Sequence, residues 1–192
     1  MQEQLLGSTQ PVLSISLEPG ESVIAATGEF AWMTDSIQMT AGLAGLSSYL
    51  AKAGAGTVAF ATRLPGAIMP VEVAPGCEFM VHRRAFLAGT PGVELSTGFR
   101  QSLARGETAA DEFILRRLGG SGRAWVELSG GVVRRDLAAG ASLRTHPRHI
   151  GMSDASVAIQ IAELAELAGS QAGNDARRLA VLSGPGAVWL QS

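Results

Sequence analysis

The sequence has little of what most recognisable sites are built from. It holds one cysteine, Cys77, in 192 residues. A single thiol excludes an intramolecular disulfide framework and a thiolate zinc cluster, and it fits a reducing compartment. Charged residues are 17% and the formal net charge is -2, so no basic footprint advertises nucleic acid. Aromatic residues, at 5%, are scarce for stacking bases. No uncharged apolar run reaches the roughly 20 residues a spanning helix needs. The longest charge-free window, Ser36 to Ala51, is interrupted by glycines and serines. The opening Met1-Gln2-Glu3-Gln4-Leu5-Leu6 lacks a basic start and a signal-length apolar run, and a cytoplasmic protein is the expectation.

What is present is repetition. Hydrophobic residues make up 46% of the chain, enough for a packed core. An apolar stretch, a turn ending in glycine and a second apolar stretch recur at Gly20, Gly76 and Gly140, and ten residues after each glycine stands Phe30, Phe86 or Ile150. A Gly-x-Gly phrase recurs out of phase, ending at Gly56, Gly122 and Gly186. Gly76 to Gly122 and Gly140 to Gly186 are both 46 residues. Such a period, made of short alternating runs and turn residues, predicts an all-β fold: a single domain over 1–192 with pseudo-repeats near 10–62, 63–128 and 129–192.

The runs Val12–Leu17, Ile68–Val73 and Val132–Leu137 read as strands entering the first turn type. Both turn types read as hairpins. Trp125 and Trp189 fall at equivalent places, with Ala59 in the first copy, and are expected in equivalent corners of the core. All three tryptophans, Trp32 included, read as core, and the copies are expected to close over one shared apolar interior. Two stretches resist the pattern. Leu43, Leu46 and Leu50 have helical spacing weakened by Gly42, Gly45 and Gly54. From Ser156 a strand is expected to about Ile161, then a short helix or loop through Asn174.

The phrases Pro19-Gly20-Glu21-Ser22-Val23, Phe30-Ala31-Trp32-Met33, Leu64-Pro65-Gly66, Ala85-Phe86-Leu87-Ala88, Pro91-Gly92-Val93 and Ser183 through Gln191 occur in that order along almost the whole chain. In this ordered set the chain resembles the "altered inheritance of mitochondria" protein family. The resemblance implies a β-sandwich of double-stranded β-helix type, similar to the tryptophan RNA-binding attenuation protein, built by internal repetition and often oligomeric. It carries no catalytic residues across. Two loops depart from the family pattern: Thr40–Ala55 is short, and Ala162–Arg178 replaces a Gly-Gly-Glu-Gly lead.

Candidate chemistry is thin. Gly140 through His149 resembles a cupin opening, but His146 and His149 are three apart where one strand face needs two, and Pro147 lies between them. The equivalent placing of His82 after Gly76 favours inherited repeat geometry over a metal site. Ser183-Gly184-Pro185-Gly186 is not a nucleophile elbow, and Gly119-Gly120-Ser121-Gly122 lacks the Lys-Ser/Thr of a phosphate loop. Cys77 reads as an incidental thiol. Arginines pair at Arg83-Arg84, Arg116-Arg117, Arg134-Arg135 and Arg177-Arg178, with Arg144 near Arg148. Gathered on one face they would suit RNA or anionic lipid. Neighbours in a strand point oppositely, which favours ordinary solvated edges. The expectation is therefore a non-enzymatic scaffold or interaction protein without metal or cofactor. Its expected partner is itself, first as a trimer, the state the family resemblance implies. An RNA- or small-ligand-binding protein is the alternative, and a cupin-like metalloenzyme using His146 and His149 the weaker one.

Overall fold

The computed structural model describes residues 1–42, 45–102, 112–163 and 178–192. The described residues form an all-β fold built of antiparallel sheets. After β1 (Gln2–Leu6), one six-strand unit occurs three times. The first unit is β2 (Val12–Leu17), β3 (Ser22–Ala26), β4 (Phe30–Met33), β5 (Ile37–Ala41), β6 (Leu46–Ala51) and β7 (Gly56–Ala61). The second is β8 (Gly66–Val73), β9 (Phe79–His82), β10 (Phe86–Gly89), β11 (Val93–Ser102), β12 (Glu112–Gly120) and β13 (Gly122–Ser129). The third is β14 (Val132–Leu137), β15 (Ser142–Thr145), β16 (Ile150–Asp154), β17 (Ala158–Glu163), β18 (Arg178–Ser183) and β19 (Gly186–Gln191).

Within each unit the last strand pairs with the first and the third, and the fifth pairs with the second and the fourth. Each third strand carries a bulge at the same place, after Phe30, Phe86 and Ile150. Units join through one further contact: β10 pairs with β3, and β16 with β9. Four sheets result, ordered β1-β2-β7-β4, β5-β6-β3-β10-β13-β8, β11-β12-β9-β16-β19-β14 and β15-β18-β17.

The turns are not hairpins. β2 and β3 lie in different sheets, as do β8 and β9, and β14 and β15. The Gly-x-Gly phrases likewise carry the chain across, from β6 to β7, β12 to β13 and β18 to β19. Both turn types are corners between facing layers. Gly20, Gly76 and Gly140 take the same left-handed conformation, with φ of 87°, 82° and 81°. A Cβ at any of them would meet nothing within 4 Å, so backbone conformation alone selects glycine. Gly76→Ala should lower the unfolding free energy by about 1–2 kcal/mol, read by urea denaturation, with Gly76→Asn losing less.

The interior is also divided rather than shared. One cluster, including Leu13, Ile15, Phe60, Tyr49 and Trp125, lies between the first and second sheets. A second, including Phe86, Val126, Leu118 and Met152, lies between the second and third. A third, including Leu115, Ile150, Leu182 and Val188, lies between the third and fourth. The middle sheets are covered on both faces: adjacent Trp125 and Val126 of β13 serve different clusters.

Leu46 and Leu50 lie on strand β6, not a helix, because alternate residues there are buried. Where the sequence predicts a helix or loop from Ile161 through Asn174, Ala162 and Glu163 continue strand β17 against β18; the rest of that stretch, like Leu43, lies outside the described residues. Trp125 is 1% exposed, and Trp189 is half-buried against Phe79 at 6.2 Å. Trp32 is not core: it is 44% exposed.

Candidate functional site

Arginines gather in one place. An open cleft of about 480 Å³ is lined by Arg83, Arg84, Thr97, Gly98, Arg100, Ile114, Leu115 and Arg116. Its outer wall is β11, whose register against β12 shifts between Thr97 and Arg100. Arg100 is held by Glu112, with Nη2 2.7 Å and Nε 3.2 Å from Oε1. Among the described residues no ion pair reaches Arg83, Arg84 or Arg116. Arg117 points away and donates to Glu78, 2.8 Å from Nε. Strand alternation thus splits Arg116 from Arg117. It does not split Arg83 from Arg84, because those two lie in the turn between β9 and β10 rather than in a strand. That turn is what the sequence reading lacked. Arg134 is bound to Asp136 at 2.7 Å and stands 5.3 Å from the centre of the Trp189 ring, away from the cleft.

A second feature was not foreseen in detail. β4 pairs only with β7 and β15 only with β18, so each leaves an edge open among the described residues. Their counterparts are covered. All four residues of β10 are buried, and so are Ile150 to Ser153 of β16, whereas every residue of β4 is exposed. Phe30, Trp32 and Met33 are 37%, 44% and 37% exposed, and Leu5 and Leu6 of β1 add to the apolar surface of the same sheet. The cause is pairing: β10 and β16 lie against β3 and β9 of the preceding unit, and among the described residues β4 has no such neighbour.

The sequence model of the family described as mitochondrial biogenesis AIM24 matches residues 4–192. The chain belongs to the AIM24 family. Its fold is similar to the crystal structure of protein SPYM3_0169 from Streptococcus pyogenes, with a TM-score of 0.79 at 17% sequence identity. That likeness covers 100% of this chain and 93% of the streptococcal one. No curated protein matches the sequence.

In this AIM24-family chain the remaining candidates have structural work. The rings of His146 and His149 are 6.1 Å apart and nearly perpendicular, in a 3-10 turn made by Pro147. His146 Nδ1 accepts from the Arg148 amide at 3.3 Å, and His149 Nδ1 donates to the Gln191 carbonyl at 2.7 Å. Asp154 accepts from the Ala187 amide at 2.7 Å, tying β16 to the corner at Gly186. Among the described residues no three His, Cys, Asp or Glu side chains gather as metal ligands. Cys77 is exposed. The most buried acid, Glu29, pairs with Arg63, whose amide donates to Glu127 at 3.1 Å. This group ties the first unit to the second. Burial pushes the Glu127 carboxyl up, and the nearby Glu29 adds to the rise.

His82, beside the cleft, is lowered to about 4 by burial first and then by Arg83 and Arg84. A depressed histidine favours the neutral form, so its contribution is complete above the ordinary value of 6.5 and is lost as pH falls toward 4. Unfolding free energy should therefore drop by up to roughly 3 kcal/mol across that window, and His82→Gln should flatten this part of the profile. Denaturation at pH 7, 5.5 and 4 measures it.

Among the described residues no helix is long and apolar enough to cross a membrane.

Proposed function

We propose that this protein is a non-enzymatic, homo-oligomeric interaction scaffold that closes head to tail through β4 and β15. One observation supports the reading. Each complete sheet has six strands, the second, fourth and fifth of one unit and the first, third and last of the next, in the order β5-β6-β3 with β10-β13-β8, and β11-β12-β9 with β16-β19-β14. The outer sheets are the two unmatched halves of that pattern: β17-β18-β15 at one end and β4-β7-β2, extended by β1, at the other. A second copy supplies the missing half.

The register follows from the internal joints. Ala88 stands opposite Ala25 and Met152 opposite Val81. The equivalent intermolecular pairs are Trp32 with Thr145 and Met33 with Arg144. Because the two edges differ, the interface is heterologous, and it ends in a ring if each turn closes. The ring is expected to hold three copies. The exposed apolar side chains of β4 then become buried as those of β10 are, which is the driving force for association. The exposed thiol of Cys77 suits a reducing compartment, and we place the scaffold in the cytoplasm.

Light scattering on the purified chain tests the proposal. A mass of three times 19.8 kDa is the expected result, and a 19.8 kDa monomer at high concentration overturns it. Cysteines at Met33 and Arg144, in a Cys77→Ser background, should give chain-to-chain disulfides under oxidation.

A further inference from the structure

The three units provide an internal control for the arginine cleft. The pairings Arg116 with Val81, Ser47 with Ala25 and Ala180 with Thr145 align the three units. By that alignment, Arg83, Arg84 and Arg116 of the second unit correspond to Thr27, Gly28 and Ser47 of the first. In the third they correspond to Pro147, Arg148 and Ala180. The fold thus builds the same turn and strand without clustered charge. A requirement of the architecture would recur; this cluster occurs once.

The cluster is also unfavourable by itself. Like-charged guanidiniums share one cleft, and among the described residues only Arg100 has a carboxylate, Glu112, to balance it. The cleft is shaped as well as charged. Gly98 forms part of its wall where a Cβ would come within 2.6 Å of the Leu115 carbonyl oxygen and 2.6 Å of Met80 Cε. Ile114 gives it an apolar side and Thr97 a hydroxyl, while Leu115 reaches it only with its backbone, its side chain being buried in the core. Planar guanidiniums match phosphate oxygens in bidentate fashion, and a mixed apolar and polar cleft of this size holds a small molecule.

We propose that the cleft between β11, β12 and the β9–β10 turn binds a small organic phosphate, its phosphate group held by Arg83, Arg84 and Arg116. Arg100, fixed by Glu112, stands at the rim and orients the rest of the molecule. None of the residues lining the site belongs to β4 or β15, so binding and assembly can be tested separately.

Isothermal calorimetry and thermal denaturation test this with inorganic phosphate and adenosine monophosphate as probes. Adenosine monophosphate should bind with a sub-millimolar Kd and raise Tm, more weakly as salt increases. Arg116→Gln and Arg83→Gln should each weaken binding by about 10-fold or more, whereas Arg117→Gln, which alters the Glu78 pair on the other face, should not. Circular dichroism and light scattering on each variant separate loss of the site from loss of the fold. Absence of heat and of any Tm shift with both probes at about 10 mM overturns the proposal, as does equal weakening by Arg117→Gln. Two further arms use an oligoribonucleotide and phosphatidic acid vesicles. Tight binding to either that adenosine monophosphate does not compete away also overturns it, replacing the small phosphate with that macromolecule.

Discussion

Met33→Arg is expected to break the assembly, and Met33→Glu to leave it intact. In the proposed assembly, the register carried over from the joints between units sets residue 33 of one copy opposite Arg144 of the next. An arginine there puts two like charges face to face in a strand pair, and partial burial removes the water that would screen them. The cost, about 2–3 kcal/mol per joint, corresponds to roughly 100-fold weaker association. A glutamate faces Arg144 with the opposite sign. Both substitutions lie on an exposed edge strand, so neither disturbs the core of the isolated chain. Sedimentation velocity at matched concentrations should find Met33→Arg at 19.8 kDa and Met33→Glu with the wild-type mass. Equal behaviour of the two variants would refute the register, and unchanged mass in both would refute the interface.

Trp125→Ala should be the most damaging single change to the fold itself. The indole is 1% exposed and belongs to the cluster between the first two sheets. Its Nε1 donates to Glu3 Oε2 at 2.8 Å, while Glu3 Oε1 accepts from Arg123 at 2.8 Å. Truncation leaves a large cavity and removes one of the two contacts by which Glu3 ties β1 to the second unit. A loss of about 3–5 kcal/mol is expected, a large part of the stability of a typical domain. Trp189→Ala, at the equivalent place but half-buried, should cost less. Trp32→Ala should spare the monomer and weaken association, because that side chain is exposed in the single chain. Urea denaturation of the three variants, with the association state recorded alongside, separates these effects.

The period of the fold was legible because glycine is selected wherever the backbone turns left-handed, and it does so at Gly20, Gly76 and Gly140 alike. Some strand limits were legible too: β2 falls on the apolar run Val12–Leu17, and β14 runs from Val132 to Leu137, just before the turn at Gly140. The partners of those strands were not legible. Pro19-Gly20 and Ser183 to Gly186 have the residues of a hairpin, yet each leads to a strand in the facing sheet. A tight turn fixes a change of direction over a few residues. Whether the next strand lies beside the last or across from it depends on which apolar faces meet, and those are remote in sequence. The same limit governed the arginines. Alternation correctly parted Arg116 from Arg117, but Arg83 and Arg84 needed knowledge that β9 ends at His82. Trp32 was misread because its repeat counterparts are buried, and nothing local marks the first copy as an outermost one.

The joints β3–β10 and β9–β16 use equivalent residues, Ala25 with Ala88 and Val81 with Met152. Clean excision of 66–129 therefore leaves β3 and β16 able to meet in the same manner, and tandem duplication of that stretch inserts a further storey without new contacts. Such a design lets the number of storeys per chain change without any joint having to be invented anew.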